Sequence, residues 1–284
     1  MDQMIERRTL LKTVGLAGVG SSVFGTASWV GEVKSSPLPI SASSDSAFRP
    51  RVALTGGEVA WGVRLAQHLM EDAELTLLAQ GSAVRPSPVP MVEVDLADQS
   101  RLSEILEGVP LVIHSAAVLE TEDAAERIER RTRLTYNLLQ AAVRAKVANF
   151  VYLSTLRMLE SYDPSFLVDE DWQPLAYDEA TGLSSYLGEF VCREFAREGL
   201  VRVITLRFGR LLEAGDKVPQ ELGASFVRVS DALEALRSLV RLLTGPKATS
   251  LSRWTVLHIA GACPPGRFPT ARAARLLGYS PASE

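Results

Sequence analysis

The chain has 284 residues, of which 46% are hydrophobic and 23% charged, enough apolar material for one large globular domain or two small ones. Its net charge of -4 and its scattered arginines argue against a nucleic-acid surface, which needs a dense basic stripe. No His/Cys cluster has metal-ligand spacing, so we expect no metal site. Cys192 and Cys263 are interpreted as two buried thiols, with a disulfide as the open alternative.

The first 27 residues resemble a twin-arginine export signal. Arg7 and Arg8 precede a glycine-rich, mildly apolar run, and small residues before position 28 offer cleavage after Ala27. Glu6 departs from the usual pattern, and a basic tail or an uncleaved anchor is the alternative. The run is too short for a stable membrane span. We expect an exported, periplasmic protein, or otherwise a cytoplasmic one, with a Ser/Pro-rich linker over 28–50.

Beyond residue 50, short apolar runs alternate with amphipathic stretches. This alternation predicts an α/β fold, a Rossmann-like, doubly wound parallel sheet covered by helices. The predicted strands are RVAL, LTLLA, MVEV, PLVIH, FVYLS, VRVITLRF and, in the tail, WTVLHIA. The predicted helices are Gly62 to Met70, Gln99 to Glu107, Ala124 to Ala145, Ser184 to Arg197, Asp231 to Leu243 and Ala271 to Leu277.

Ligands of such sheets bind beyond the carboxyl ends of the strands. Thr55, Asp95, His114 and Ser154 follow four predicted strands and are expected on one rim. The first turn reads Gly56-x-x-Val59-x-x-Gly62, with a valine where a dinucleotide-binding turn has a middle glycine.

Several segments together resemble the extended short-chain dehydrogenase/reductases, the NAD-dependent epimerase/dehydratase family. They are ALTGGEVAWG, VEVDLAD, VIHSAAV, NLLQAAVRAKVANFVYLST, the stretch from VDEDWQP to SSYLGEF, LRFGRLL, FVRVSDALEAL and ARLLGYSP. The resemblance implies an NAD(P)-binding domain over 51–284, with a reduced substrate part from about 207 to 284. It also implies a small-molecule substrate and a homodimer through two long helices.

The resemblance assigns the dinucleotide, NAD or NADP, to residues along the predicted rim. They are Thr55, Gly56, Gly57, Gly62, Asp95, Leu96, His114, Ser115, Ala116, Ala117, Ser154 and Tyr186. The second strand ends without the acid that would bind a ribose 2'-hydroxyl, and Arg85 is a candidate for a 2'-phosphate. Arg131 stands where the family often has asparagine, and Phe208 replaces a proline.

Catalysis in the family uses a Ser or Thr, a Tyr and a Lys four residues later. A lysine ammonium lowers the pKa of the tyrosine from its ordinary value near 10 and holds the nicotinamide ribose. By position, Thr155 and Tyr186 are the candidate catalytic residues, but Phe190 takes the lysine position, with Glu194 on the acid that usually follows. Arg193 is the nearest cation in sequence.

Two functions therefore remain open. The first is an oxidoreductase or epimerase acting on a small carbonyl or sugar-like substrate, with Tyr186 donating a proton better than it accepts one. The second is a non-catalytic descendant that senses a cofactor or binds a protein, because fold alone does not decide function.

Overall fold

A computed structural model describes residues 49–81, 86–116, 123–175, 180–219, 224–246, 248, 251–261 and 266–282. All of them lie in the unit Ala47–Glu284. The predicted export signal over 1–27 and all but the end of the linker lie outside the described residues, as do Arg85, Ala117 and Cys263. Within the described ranges, no helix has the length and apolar character to span a membrane.

The fold is built on a parallel sheet of seven strands, as the alternating pattern predicts. The strands of the chain are β1 Arg51–Thr55, β2 Glu74–Ala79, β3 Met91–Glu93, β4 Leu111–His114, β5 Asn149–Thr155, β6 Arg202–Phe208, β7 Arg210–Leu212, β8 Phe226–Arg228 and β9 Trp254–Ile259. The large sheet has the order β3-β2-β1-β4-β5-β6-β9. The short strands β7 and β8 form a separate parallel pair, which the sequence pattern does not predict.

Helices cover both faces of this sheet. They are α1 Ala60–Leu69, α2 Gln99–Ile105, α3 Ala124–Glu129, α4 Thr135–Arg144, α5 Ala180–Arg197, α6 Val229–Thr244 and α7 Ala271–Leu277. The predicted helix over 124–145 is present as a helical run from α3 to α4, but a π-helical turn, Arg130–Leu134, interrupts its α-helical geometry. A 3-10 turn, Leu156–Leu159, follows β5, and α5 begins four residues before the predicted Ser184.

Alternation along the central strands divides the core into two layers. Val52 and Leu54 of β1 pack with α1, α6 and α7, whereas Ala53 between them faces the layer under α2, α4 and α5. Because both faces of every inner strand are covered, these strands have apolar residues on both sides. Most polar side chains of the strands lie near their ends, with Thr205 of β6 and Tyr152 of β5 as buried exceptions.

Candidate functional site

The carboxyl ends of the parallel strands form one rim, as expected. Thr55 ends β1, His114 ends β4, and Ser154 and Thr155 end β5. The strand order reverses between β1 and β4, the switch point where open α/β sheets bind ligands. Asp95 lies two residues beyond β3 and is exposed, with its carboxylate accepting from the Ala97 N–H at 2.8 Å.

The glycine-rich turn is intact despite Val59. Gly56 has φ +101°, a left-handed conformation that favours glycine. Gly62 packs on it so closely that a Cβ would lie 2.1 Å from the Gly56 carbonyl oxygen. Val59 precedes α1 with an extended backbone, φ -119° and ψ 151°, which a β-branched residue adopts without strain. Gly57 lies against Ala79 of β2, where a Cβ would come within 2.9 Å.

A small cavity of about 10 Å³ lies between the turn and the switch point. Ala116, at its wall, is buried and holds a left-handed φ of +45°, a conformation that non-glycine residues rarely adopt. Of the predicted cofactor residues, Thr55, Gly56, Leu96, His114 and Ala116 line this cavity, together with Glu58, Leu78, Gln80 and Arg130.

The carboxylate missing from the end of β2 is supplied by the turn itself. Glu58, buried, accepts a hydrogen bond from the Gln80 N–H at 3.2 Å, just beyond the end of β2. Arg130 of the π turn donates to the Gln80 side-chain oxygen at 3.0 Å and lies 3.5 Å from the Glu58 carboxylate. The sequence gives no sign of this network, because its members are 22 and 50 positions from Gln80.

His114 is the polar centre of the rim. Its Nδ1 is 2.7 Å from the Thr55 hydroxyl, and its Nε2 is 2.9 Å from the hydroxyl of Thr135. Burial lowers the pKa of His114 to about 3, and the nearby Arg131 and Arg130 act in the same direction. The imidazole is therefore neutral at physiological pH, with each ring nitrogen on a threonine hydroxyl.

Two predicted serines have unused hydrogen-bonding capacity. Ser115 and Ser154 are buried, and their hydroxyls have no partner within the described part of the chain. Buried polar atoms are rarely left unpaired in native proteins, so such atoms at a ligand-binding rim are suited to contact a bound molecule.

Arg131 of the π turn contacts α5. Its Nη1 donates to the hydroxyl of Ser185 on α5, and its Nε, also buried, has no acceptor among the described residues. Burial raises the pKa of the nearby Tyr152, and the Arg131 guanidinium opposes that shift. Gly188 lets α5 approach, since a Cβ there would lie 2.0 Å from the Tyr152 hydroxyl oxygen.

The two candidate catalytic residues lie at the end of β5 and on α5. Thr155 uses its hydroxyl to accept from the Arg157 N–H at 3.2 Å, beginning the 3-10 turn. Tyr186 is half-buried against a small apolar cluster, and its hydroxyl has no partner among the described residues. The cluster contains Leu156, Met158, Leu159, Val168, Ala260 and Phe268.

The residue at the expected lysine position does not enter this cluster. Phe190 is 45% exposed, and the guanidinium of Arg193 lies over its ring at 5.2 Å from the centroid. Arg193 is itself half-exposed and 3.6 Å from Glu194. Arg193 therefore contacts Phe190 and Glu194, and this arrangement gives no support to a role for it in the site.

Beneath Tyr186, a buried charge cluster joins α5 to the sheet. Arg207 of β6 binds the Glu189 carboxylate through Nη2 at 2.8 Å and Nε at 3.0 Å. His258 of β9 is buried beside them, and its backbone N–H donates to Glu170 at 3.4 Å. Burial and the charge of Arg207 lower the pKa of His258 well below its usual value.

On the C-terminal side, Glu160 links the 3-10 turn to the β7–β8 pair. Its carboxylate accepts from Arg210 at 2.6 Å and from the Ser225 N–H at 3.2 Å. Across the described ranges, no group of acidic, histidine or cysteine side chains has a metal-binding arrangement. Cys192 of α5 is a buried free thiol.

The fold and the rim define a Rossmann-type nucleotide-binding protein of the extended dehydrogenase architecture. Residues 52–235 match the sequence model of the NAD dependent epimerase/dehydratase family, and the chain belongs to that family.

Two curated enzymes are related to the chain. An L-arabinose 1-dehydrogenase (NAD(P)(+)) of Haloferax volcanii is 27% identical over 184 residues, 61% of this chain and 71% of that enzyme. A uronate dehydrogenase of Pseudomonas putida is 28% identical over 163 residues, which cover 56% of this chain and 60% of that enzyme, less than two thirds of its length.

Solved structures share the fold. The uronate dehydrogenase of Agrobacterium tumefaciens superposes with a TM-score of 0.68 at 18% identity, covering 83% of this chain and 85% of that one. MoeE5, solved in complex with UDP-glucuronic acid and NAD, gives a TM-score of 0.66 at 19% identity, covering 82% of this chain and 94% of its own.

Proposed function

We propose that the protein is an NAD(P)-dependent oxidoreductase acting on a small sugar-like substrate. The observation that carries this proposal is the rim itself: an intact glycine turn, a neutral His114 and two buried serine hydroxyls that have no partner among the described residues, at and beside the switch point of the sheet. Family membership supports the same activity.

The residues present fit a dinucleotide. The Gly56–Gly62 contact brings the start of α1 close to the turn, so that backbone rather than side chain faces an approaching phosphate. Glu58 offers a carboxylate beside the end of β2, where a ribose hydroxyl would be bound, and Ser115 and Ser154 offer hydroxyls that no described residue binds. A bound nicotinamide supplies the hydride chemistry.

Substrate chemistry is assigned to Thr155 and Tyr186. A hydroxyl beside the substrate oxygen orients it, and a phenol transfers the proton that accompanies hydride movement. Both residues lie at the end of β5 and on the adjoining α5, next to the part of the chain that follows β6. Sugars are the first substrates to test, because the relatives are named for L-arabinose and uronates.

The first experiment is thermal unfolding of the full chain with NAD⁺, NADP⁺, NADH and NADPH. A nucleotide at about 100 times its dissociation constant stabilises by roughly 2.7 kcal/mol, which is readily measured. ATP at equal concentration controls for binding of any phosphate. A selective shift identifies the cofactor, and nucleotide reduction is then followed with L-arabinose and uronates. No shift with any of the four dinucleotides at millimolar concentration contradicts the proposal.

The second candidate is a non-catalytic Rossmann module. The observation that favours it is the size of the cavity, which Glu58 and Arg130 reduce to about 10 Å³ while forming an ion pair. The absence of lysine at position 190 agrees with it. Cofactor sensing or partner binding through the same rim would then replace catalysis. Nucleotide reduction with sugar substrates separates the two candidates, since a non-catalytic module can bind a dinucleotide but does not reduce it.

Export and dimerisation complete the proposal. The Arg7-Arg8 sequence supports export of the folded protein. A groove between α3, α4 and α5, with a volume of about 540 Å³, supports a homodimer. Tyr136, 44% exposed, stands in this surface with Ala125, Ile128, Glu129, Thr132, Arg133 and Val191. Sedimentation equilibrium tests the dimer, and Tyr136→Glu is expected to dissociate it.

A further inference from the structure

Helix α5 lacks the lysine that the family pattern places on it, but a basic side chain reaches α5 from the π turn. The family pattern requires a lysine four residues after the catalytic tyrosine, and α5 has no lysine along its length. Phe190 lies at the predicted position but is 45% exposed and covered by Arg193. Placing a cation at position 190 would therefore put it on the surface of the helix.

A second set of residues on α5 has the same spacing, five positions earlier. Thr181, Ser185 and Glu189 are separated by four residues each, as are Tyr186, Phe190 and Glu194. Such residues share one face of a helix. The acid of the earlier set, Glu189, is buried on Arg207, whereas Glu194 is paired with arginines on the surface. The earlier set is therefore the one that faces the protein interior.

This inner face meets the π turn. Arg127 of α3 donates to the Thr181 hydroxyl at 3.2 Å, and Arg131 donates to the Ser185 hydroxyl. Ser185 is fully buried and too short to fill the volume of a lysine, so the guanidinium occupies the space beside it. The Nε of Arg131 remains a buried donor without an acceptor in the described part of the chain.

We propose that Arg131 is the cation of the site, supplied from the π turn instead of from α5, and that it binds the nicotinamide-side ribose of the dinucleotide. The guanidinium carries several fixed N–H donors, and a ribose diol offers two acceptor oxygens. Ser185 holds the guanidinium through Nη1 and the Tyr152 hydroxyl lies on its other side, which leaves its remaining N–H groups for the ligand. This inference rests on the proposed function.

The test compares NADH, which contains that ribose, with 5'-AMP, which lacks it. Arg131→Met is expected to weaken NADH binding by about 10- to 100-fold, the effect of losing hydrogen bonds from a charged group, and to leave AMP binding unchanged. Arg131→Lys keeps the charge and is expected to lose less than tenfold. Arg133→Met is the matched control on the same turn, because its partner Glu129 is on the surface.

Each outcome decides. Equal affinity of the wild type and Arg131→Met for NADH overturns the inference alone, and so does a parallel loss of AMP binding, which would indicate damage to the fold. A wild type that binds neither nucleotide overturns the proposed function and this inference with it. If Arg131→Met does not fold, Arg131→Lys carries the test: a selective loss of NADH binding below tenfold supports the inference, and no loss or a loss above tenfold overturns it.

A second arm tests the position of the cation. The double variant Arg131→Met with Phe190→Lys is expected to bind NADH as weakly as Arg131→Met, because a lysine at 190 would lie on the surface beside Arg193. Recovery of NADH binding in the double variant would assign the cation to position 190 and overturn the inference.

Discussion

Arg207 and Glu189 form a buried ion pair that fixes α5 against β6, with both side chains no more than 5% exposed. Removing one partner of such a pair leaves an uncompensated buried charge, which costs about 3–5 kcal/mol. We expect Arg207→Met to lower the free energy of unfolding by this amount, measured by urea denaturation with circular dichroism. The matched control is Arg197→Met, whose partner Glu194 is on the surface and should cost less than about 1 kcal/mol. Equal costs would contradict a structural role for the buried pair.

Gly62→Ala is expected to destabilise the fold through a single methyl group. The added Cβ would lie 2.1 Å from a backbone oxygen that has no room to move, and overpacking of this kind costs about 1–3 kcal/mol. Gly266→Ala is the control, since a Cβ there meets nothing within 4 Å. Thermal unfolding measures both. A neutral Gly62→Ala would show that the turn can separate from α1.

His114 should make stability depend on pH. Its pKa is about 3 in the folded protein against 6.5 in the unfolded chain, so the unfolded chain binds more protons between these values. Stability is complete above pH 6.5 and falls as the pH drops towards 3, by about 1.4 kcal/mol per unit from this group. His258, with its lowered pKa, adds to the same slope.

The measurement is urea unfolding of the wild type and His114→Asn at pH 7, 6 and 5. The variant loses its bonds to Thr55 and Thr135 and is less stable at every pH, but its slope should be smaller by about 1.4 kcal/mol per unit. An unchanged slope would mean that His114 titrates equally in both states.

Tyr186→Phe tests the proposed proton donor without disturbing packing. The ring that contacts the apolar cluster is kept, and the hydroxyl has no partner among the described residues, so stability should be unchanged. Once a substrate is found, kcat should fall at least about 100-fold. Tyr136→Phe, on the exposed surface of α4, is the control. Full activity of Tyr186→Phe would show that a group other than Tyr186 donates the proton.

Replacing Arg7 and Arg8 together by lysine should keep the protein in the cytoplasm. The twin-arginine route reads the paired guanidinium groups, which lysine does not reproduce. Fractionation and immunoblotting of cells expressing the full chain measure the distribution. Lys12→Arg, which keeps the charge and the pair, should be exported like the wild type. Unchanged export of the double variant would refute the signal.

The sequence predicts the sheet well because each central strand is a continuous apolar run bounded by breakers. All seven predicted strands are present in the parallel sheet. Val59 stands where the family turn has a middle glycine, and its extended backbone accommodates the side chain. The Glu58–Arg130 contact and the Arg131–Ser185 bond could not be predicted, because they join residues 72 and 54 positions apart that meet only after the chain has folded. The role of Tyr186 stays a prediction.

The π turn makes the number of residues in this segment matter as well as their identity. A π turn holds one more residue than the α-helical turn it replaces, and here the extra residue directs Arg130 towards β2 and Arg131 towards α5. Deleting one residue from 130–134 would convert the π turn into an α turn, so α3 would keep its orientation but the extra position that separates the directions of Arg130 and Arg131 would be lost. Substitutions in this segment leave the backbone path in place, whereas a one-codon deletion would separate both arginines from their partners. Related chains with this arrangement should therefore keep both the length of this segment and its two arginines.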